Sequence, residues 1–245
     1  MASILKQAKR GLRKRSEAVV GAMAEPNATW LRRAVGPMLC YLDMLVVDYG
    51  VVRLFFNNRH RVGHDAWRSA QPAPYHIAMM ARRGIKTIIN LRGDQSAGTK
   101  WLEEQACARH GVNLINLKLR SRAPPSRQEL WAVREVLNRA EYPILVHCKS
   151  GADRAGLMSV LIRHVRDGEP IDDAINQLSL RFGHIRQADT GVLDEVFRRY
   201  LKDAANAPIE FWHWVDTVYD PNDIQRAFKA NKWASRLVDR VLRRE

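Results

Sequence analysis

Cysteine is scarce in this sequence: Cys40, Cys107 and Cys148 are the only three in 245 residues. An odd trio makes no disulfide framework and suits a reducing compartment, and no Cys/His spacing of the zinc-site kind occurs. The basic start MASILKQAKRGLRKRS is not followed by an apolar stretch, so a cleaved signal peptide is not expected. Repeats and low-complexity tracts are absent as well. The longest apolar run, VGPMLCYLDMLVVDYGVVRLFF (35–56), is broken by Asp43, Asp48 and Arg53. Each such charge costs roughly 2.5–3.5 kcal/mol near a bilayer centre, so the run reads as a helix or two packed on a domain rather than as a span. Acidic residues are in deficit, 26 against 40 Lys and Arg, which leaves a net charge of +14. That charge is uneven: residues 1–33 carry +6 and residues 226–245 carry +5, leaving +3 on the body.

What is present is an alternation. TIINLR (87–92), VNLINLKL (112–119) and ILVHC (144–148) read as strands. Between them PYHIAMMARRG, TKWLEEQACARHG and SRQELWAVREVLNRA have helical apolar spacing. The first two end in Gly, and Ser126 with Glu129 offers a capping box for the third. Strand–helix alternation implies an α/β fold, a central mainly parallel sheet flanked by helices. After Arg154 the chain reads as helical to its end, with helical N- and C-terminal extensions. The expected organisation is a basic and apolar extension over 1–57, a catalytic domain over 58–205 and a basic helical extension over 206–245. Trp212, Trp214 and Trp233 read as core or interface rather than a ligand platform.

The stretch YPILVHCKSGADRAGLMSVLIRH (142–164) carries chemistry. A buried strand ends on Cys148 and a helix starts near Arg154. The turn between them would aim backbone N–H groups and the positive helix end at one point, a cradle for a tetrahedral dianion. The same field favours a thiolate, which makes Cys148 a candidate nucleophile. Arg154 can offer a planar fork to two phosphate oxygens, as Lys could not. Ser150, Gly151 and Ala152 are small enough for the backbone to close round the anion, Lys149 adds charge beside it, and His147 would hold the loop through its ring nitrogens.

VHCKSGADRAG resembles the His-Cys, five residues, Arg signature of the protein tyrosine and dual-specificity phosphatase superfamily. AWRSAQPAPYHIAMMARRGIKTIINLRG (66–93) is similar to the opening of small bacterial dual-specificity-like members. The resemblance covers roughly residues 60–200. It implies a two-step phosphomonoester hydrolysis through a phosphocysteine on Cys148, with no metal and no organic cofactor. It also implies a bacterial protein facing the cytoplasm.

The family pattern is not met throughout. Members take an Asp general acid from a loop before the Cys, yet no Asp lies between Asp94 and Asp153, and the loop LKLRSRAPPS (117–126) offers Arg120 and Arg122 instead. Asp153, placed as in myotubularin and Sac-type phosphoinositide phosphatases, and Asp94 are the two candidates. The alternative for Asp153 is a loop-bracing carboxylate paired with a neighbouring Arg. Ala155 stands where members commonly have Ser or Thr. His184, Arg186 and Gln187 lie where relatives position the hydrolytic water, and they are candidates for that or for substrate.

The tails suit an anionic surface. Ile4, Leu5, Ala8 and Leu12 share one side of a basic helix, and Leu237, Val238, Val241 and Leu242 line another. The first is expected to bind a membrane or stay unfolded, and the second to pack on the domain. Nucleic acid fits poorly, since no aromatic residues interleave with the tail cations. Three readings stand: a phosphatase of lipid or glycolipid phosphate at the cytoplasmic membrane face, a tyrosine or dual-specificity protein phosphatase in the cytoplasm, and a phosphate-binding scaffold without a working acid.

Overall fold

The computed structural model of the chain describes residues 2–23, 30–93 and 95–242, with side chains placed at 10–11, 13–22, 35–93 and 95–231. In chain order come α1 (Ala2–Met23), α2 (Trp30–Leu42), a π-helical turn (Asp43–Val47), α3 (Gly50–Phe55), β1 (His60–Arg61), β2 (Ala66–Ala70), α4 (Pro74–Arg82), β3 (Thr87–Asn90), α5 (Ala97–His110), β4 (Asn113–Asn116), α6 (Arg127–Arg139), β5 (Ile144–Cys148) and α7 (Asp153–Asp167). The rest is helical: α8 (Ile171–Ala174), three 3-10 turns, α9 (Val192–Asn206), α10 (Phe211–Thr217) and α11 (Pro221–Leu242).

The strands form one sheet in the order β1-β2-β5-β3-β4, parallel except for the β1–β2 pair. Central β5 is buried along its whole length, and alternate residues serve opposite faces. Ile144, Val146 and Cys148 join the larger core with α6, α7, α9 and α10. Leu145 joins Ile88, Ile77, Met80 and Cys107 under α4 and α5. Each buried Leu or Ile contributes about 1.5–3 kcal/mol, so this sandwiched sheet fixes where Cys148 ends up.

The expected α/β class is observed, with strands shorter than the sequence reading. β3 stops at Asn90 and β4 at Asn116; beyond them Leu119 N–H donates to Leu91 O at 3.3 Å, and the carbonyls of Leu91 and Leu119 accept from Arg154 Nη1 at 3.2 and 3.4 Å. Strands β1 and β2 are absent from that reading. In β2, AWRSA, the polar Arg68 and Ser69 are buried, so no apolar alternation marks it. Ser126 and Glu129 form the expected capping box, Glu129 N–H donating to Ser126 Oγ at 3.1 Å and Ser126 N–H to Glu129 Oε2 at 2.6 Å. Trp212 and Trp214 are core residues, and Trp214 Nε1 donates to Asp203 Oδ2 at 2.9 Å. Trp233 and the apolar stripes of both tails lie outside the described side chains.

The run 35–56 folds as α2, the π-helical turn and α3, packed against α5. No helix among the described residues is long and apolar enough to cross a membrane. All three charges of the run point inward. Asp43 Oδ2 accepts from Gly98 N–H in the first turn of α5 at 3.0 Å. A Cβ at Gly98 would sit 2.6 Å from that oxygen, so the contact needs glycine. Asp48 takes both Nη of Arg92 at 2.7 Å and Arg53 Nη2 at 2.8 Å. Burial alone would raise the Asp48 pKa, but these guanidinium groups hold it below the usual carboxylate range.

Breaking this network is expected to be costly, because removing the anion leaves two buried cations unpaired. Asp48→Asn should lower the unfolding free energy by about 3–5 kcal/mol in urea titrations. A loss below about 1 kcal/mol would show that the network contributes little.

Candidate active site

Residues 149–152 join β5 to α7, and two sets of side chains hold them. Behind the loop lies Arg68, from β2, with no exposure at all. Its Nη2 donates to the carbonyls of Gly151 and Ala152, both at 2.8 Å, and its Nη1 to Gln177 O at 2.7 Å. Trans peptide units point N–H opposite to C=O, so drawing these carbonyls backward turns the following N–H groups into the loop. Burial brings the Arg68 pKa down to about 10, still charged at neutral pH, and its guanidinium lies 4.2 Å above the Phe182 ring. Gly151 sits at φ +77°, where a Cβ would come within 2.6 Å of Ala70 N and 2.7 Å of Ser69 C. Only glycine fits between loop and strand.

From the side, residues of the N-terminal segment reach the loop. Asn58 Nδ2 donates to Ser150 O and to Phe182 O, each at 2.9 Å. Asp48 Oδ1 lies 3.6 Å from Lys149 Nζ, and the same ammonium sits 5.3 Å from the centre of the Tyr49 ring.

Arg154 enters from the first turn of α7. Its Nη1 is anchored on Leu91 O and Leu119 O, while its Nε is buried without an acceptor among the described residues. A buried guanidinium N–H of this kind awaits an anion. A cleft of about 430 Å³ opens at Arg154, and Lys118, Arg120 and Arg122 line it, with no carboxylate among the described lining residues. Arg120 also donates to Pro124 O at 3.2 Å and pairs with Glu129 Oε2 at 3.4 Å, so one of the two loop arginines is partly tied back and partly neutralised. Cys148 is buried at the end of β5, at the root of the loop.

Asp153 pairs with a histidine, not with a neighbouring arginine. His184 Nδ1–H donates to Asp153 Oδ1 at 2.7 Å and its Nε2–H to Asp194 Oδ2 at 2.5 Å. Burial would lower the His184 pKa, but the two carboxylates outweigh it and raise it to about 9. With both ring nitrogens committed and 1% exposure, His184 has no donor left for water or substrate, contrary to expectation. It positions Asp153.

His147 is also placed differently. Its Nε2 lies 2.7 Å from Glu103 Oε1, both groups buried and without hydrogen-bond alignment, so it ties β5 to α5 and leaves the loop to Arg68, Asn58 and Asp48. Gln187 and Arg186 are exposed beyond the 3-10 turn at 180–182. Ala155 is fully buried and brings no hydroxyl. Asp94 lies outside the described residues. Sequence reasoning missed Arg68, Asn58, Asp48 and Asp194. The one available signal was the presence of Asp48 and Arg68 inside short apolar runs.

A loop pinned from behind by a buried guanidinium, with a cysteine at its root and an arginine fork at its exit, places the chain among cysteine-dependent phosphatases of the tyrosine and dual-specificity type. Known proteins narrow this. A family model described as DSP-PTPase phosphatase fused to NAD+ kinase matches residues 55–192, and the chain belongs to that family. The dual specificity protein phosphatase TpbA of Pseudomonas aeruginosa is 25% identical over 122 residues, 49% of this chain and 53% of that protein. A beta-lactamase hydrolase-like protein of Xylella fastidiosa is 31% identical over 125 residues, 50% of this chain and 28% of that protein. The chain thus spans about half the length of TpbA and less of the second relative. The crystal structure of P. aeruginosa TpbA superposes with a TM-score of 0.46 at 20% identity, covering 71% of this chain and 91% of the other.

The His184 bridge should show in stability. Its folded pKa, about 9, exceeds the ordinary 6.5, so its contribution is complete below 6.5 and is lost as pH rises through about 9. Urea midpoints should fall across that window in the parent, and His184→Asn should remove the fall. An unchanged slope in the variant would assign the titration to another group.

Proposed function

We propose that the chain hydrolyses phosphomonoesters through a phosphocysteine on Cys148, and that its substrate is a phosphate on a lipid or glycolipid headgroup. The cleft carries this reading. Four cations, Lys118, Arg120, Arg122 and Arg154, face it, and among the described residues no aromatic ring lines it and Leu119 and Ala123 are its only apolar side chains. Such a space suits a polar, multiply anionic headgroup better than the ring of a phosphotyrosine.

In the first step Cys148 Sγ attacks phosphorus in line, the P–O bond to the leaving group breaks, and the leaving oxygen takes a proton. Arg154 and the loop N–H groups stabilise the equatorial oxygens. In the second step water attacks phosphorus, the S–P bond breaks, and inorganic phosphate leaves with the thiolate restored. Asp153 serves as the acid of the first step and the base of the second, held in place by His184. A phosphoprotein substrate is the second reading, favoured by the name of the relative TpbA.

Two measurements test this. Cys148→Ser should abolish turnover on a panel of phospholipids, lipid-linked phosphates, phosphopeptides and an aryl phosphate, and the parent should prefer lipid. Preference for phosphopeptides would select the second reading, and phosphate binding without turnover would leave only a scaffold. Asp153→Asn should lower kcat on alkyl phosphates by about 10²–10⁴ and spare aryl phosphates, whose leaving groups need less protonation. Equal loss on both would remove Asp153 as the acid.

A further inference from the structure

A surface helix normally turns its apolar side to the core and its charges to water. The segment 35–56 departs from this. Beside the buried Cys40 and Met44, its inner side holds Asp43, Asp48 and Arg53, all buried and ion-paired or hydrogen-bonded. Its outer side carries Val35, Met38, Leu42, Val46 and Tyr49, spaced three or four residues apart and all exposed. The stripe continues into α3, where Val52 is 70%, Phe55 88% and Phe56 74% exposed. An apolar face this long is stable only against an apolar medium.

Charge points to the occupant. Helix α1 packs on α2 and on the π-helical turn, and Arg10, Lys14 and Arg15 are exposed on it, with Arg13 paired to Glu17 at 3.1 Å. Two copies meeting on this face would bring like charges together, whereas an anionic bilayer would meet apolar and basic groups at once. The face also ends at the catalytic loop, through the Asp48 and Tyr49 contacts with Lys149.

We infer that residues 35–56 form an in-plane docking face for an anionic phospholipid bilayer, apolar side in the lipid and charged side bracing the catalytic loop. This rests on the lipid-phosphate reading for its purpose but not for its evidence. The docking face sets the loop's rim at the headgroup level, so a phosphate on a lipid would reach the cleft without leaving the membrane.

The test uses the full chain and the triple variant Val52→Ser, Phe55→Ser, Phe56→Ser, the three most exposed residues of the stripe. Both are sedimented with vesicles of phosphatidylcholine alone and with about one-third phosphatidylglycerol. The parent should bind the mixed vesicles, and the variant's partition coefficient should fall about tenfold or more, with aryl phosphate hydrolysis unchanged. Equal partitioning of parent and variant, or a parent that ignores both vesicle types, would overturn the inference. So would a variant that turns a dimeric parent into a monomer while vesicle binding stays the same, since a second copy would then be the occupant. Vesicle binding that the variant loses, in a parent without turnover on any phosphate, would support the docking face and refute the phosphatase reading alone.

Discussion

The contact between Arg68 and the carbonyls of Gly151 and Ala152 sets the conditions for everything else in the site. A guanidinium is fixed in shape and buried here without a carboxylate among its hydrogen-bond partners, so its donors are satisfied by main-chain oxygens and the side-chain amide oxygen of Gln177. Satisfying them fixes the orientation of two peptide planes, and with it the direction of the N–H groups that would surround an anion. Glycine at 151 follows from the same approach of loop and strand. The loop therefore depends on β2, a strand more than 80 residues earlier, for its shape.

Two further braces come from opposite ends of the chain. Asp48 and Asn58 hold the loop from the N-terminal segment, and Asp194 and His184 hold Asp153 from the helical half. These braces differ in their response to pH. The Asp48 network carries charges that persist across the neutral range, whereas His184 releases a proton as pH rises through about 9 and would then donate to only one of its two carboxylates. The acid candidate is thus coupled to the helical half, and the charge on Lys149 to the segment 35–56.

Much of the fold was legible because β3 and β5 hold short runs of buried aliphatic residues and because the capping and glycine signals sit where helices begin and end. The loop was legible because Cys148, the small residues and Arg154 are contiguous. What supports the loop was not, because long-range partners leave no local period. Arg68 lies in a five-residue strand whose polar residues face inward, which erases the alternation that marks a strand. Asp48 and Arg53 were read correctly as evidence against a membrane span, but buried charges also demand partners, and that demand pointed to Arg92 and the loop. His184 was noticed for its place in the chain, while Asp194, ten residues on, was indistinguishable from any acidic residue in the first turn of a helix.

The central claim is that the space above Cys148 is a preformed oxyanion cradle. Its most direct measurement is the rate of alkylation by iodoacetamide at neutral pH, with and without tungstate or phosphate. Burial pushes the Cys40 thiol up to about 11 and the Cys107 thiol up to about 12, so the reaction reports on Cys148. The account predicts a rate well above that of free cysteine and saturable protection by the oxyanion. A rate equal to that of free cysteine, with no protection at any oxyanion concentration, would contradict it.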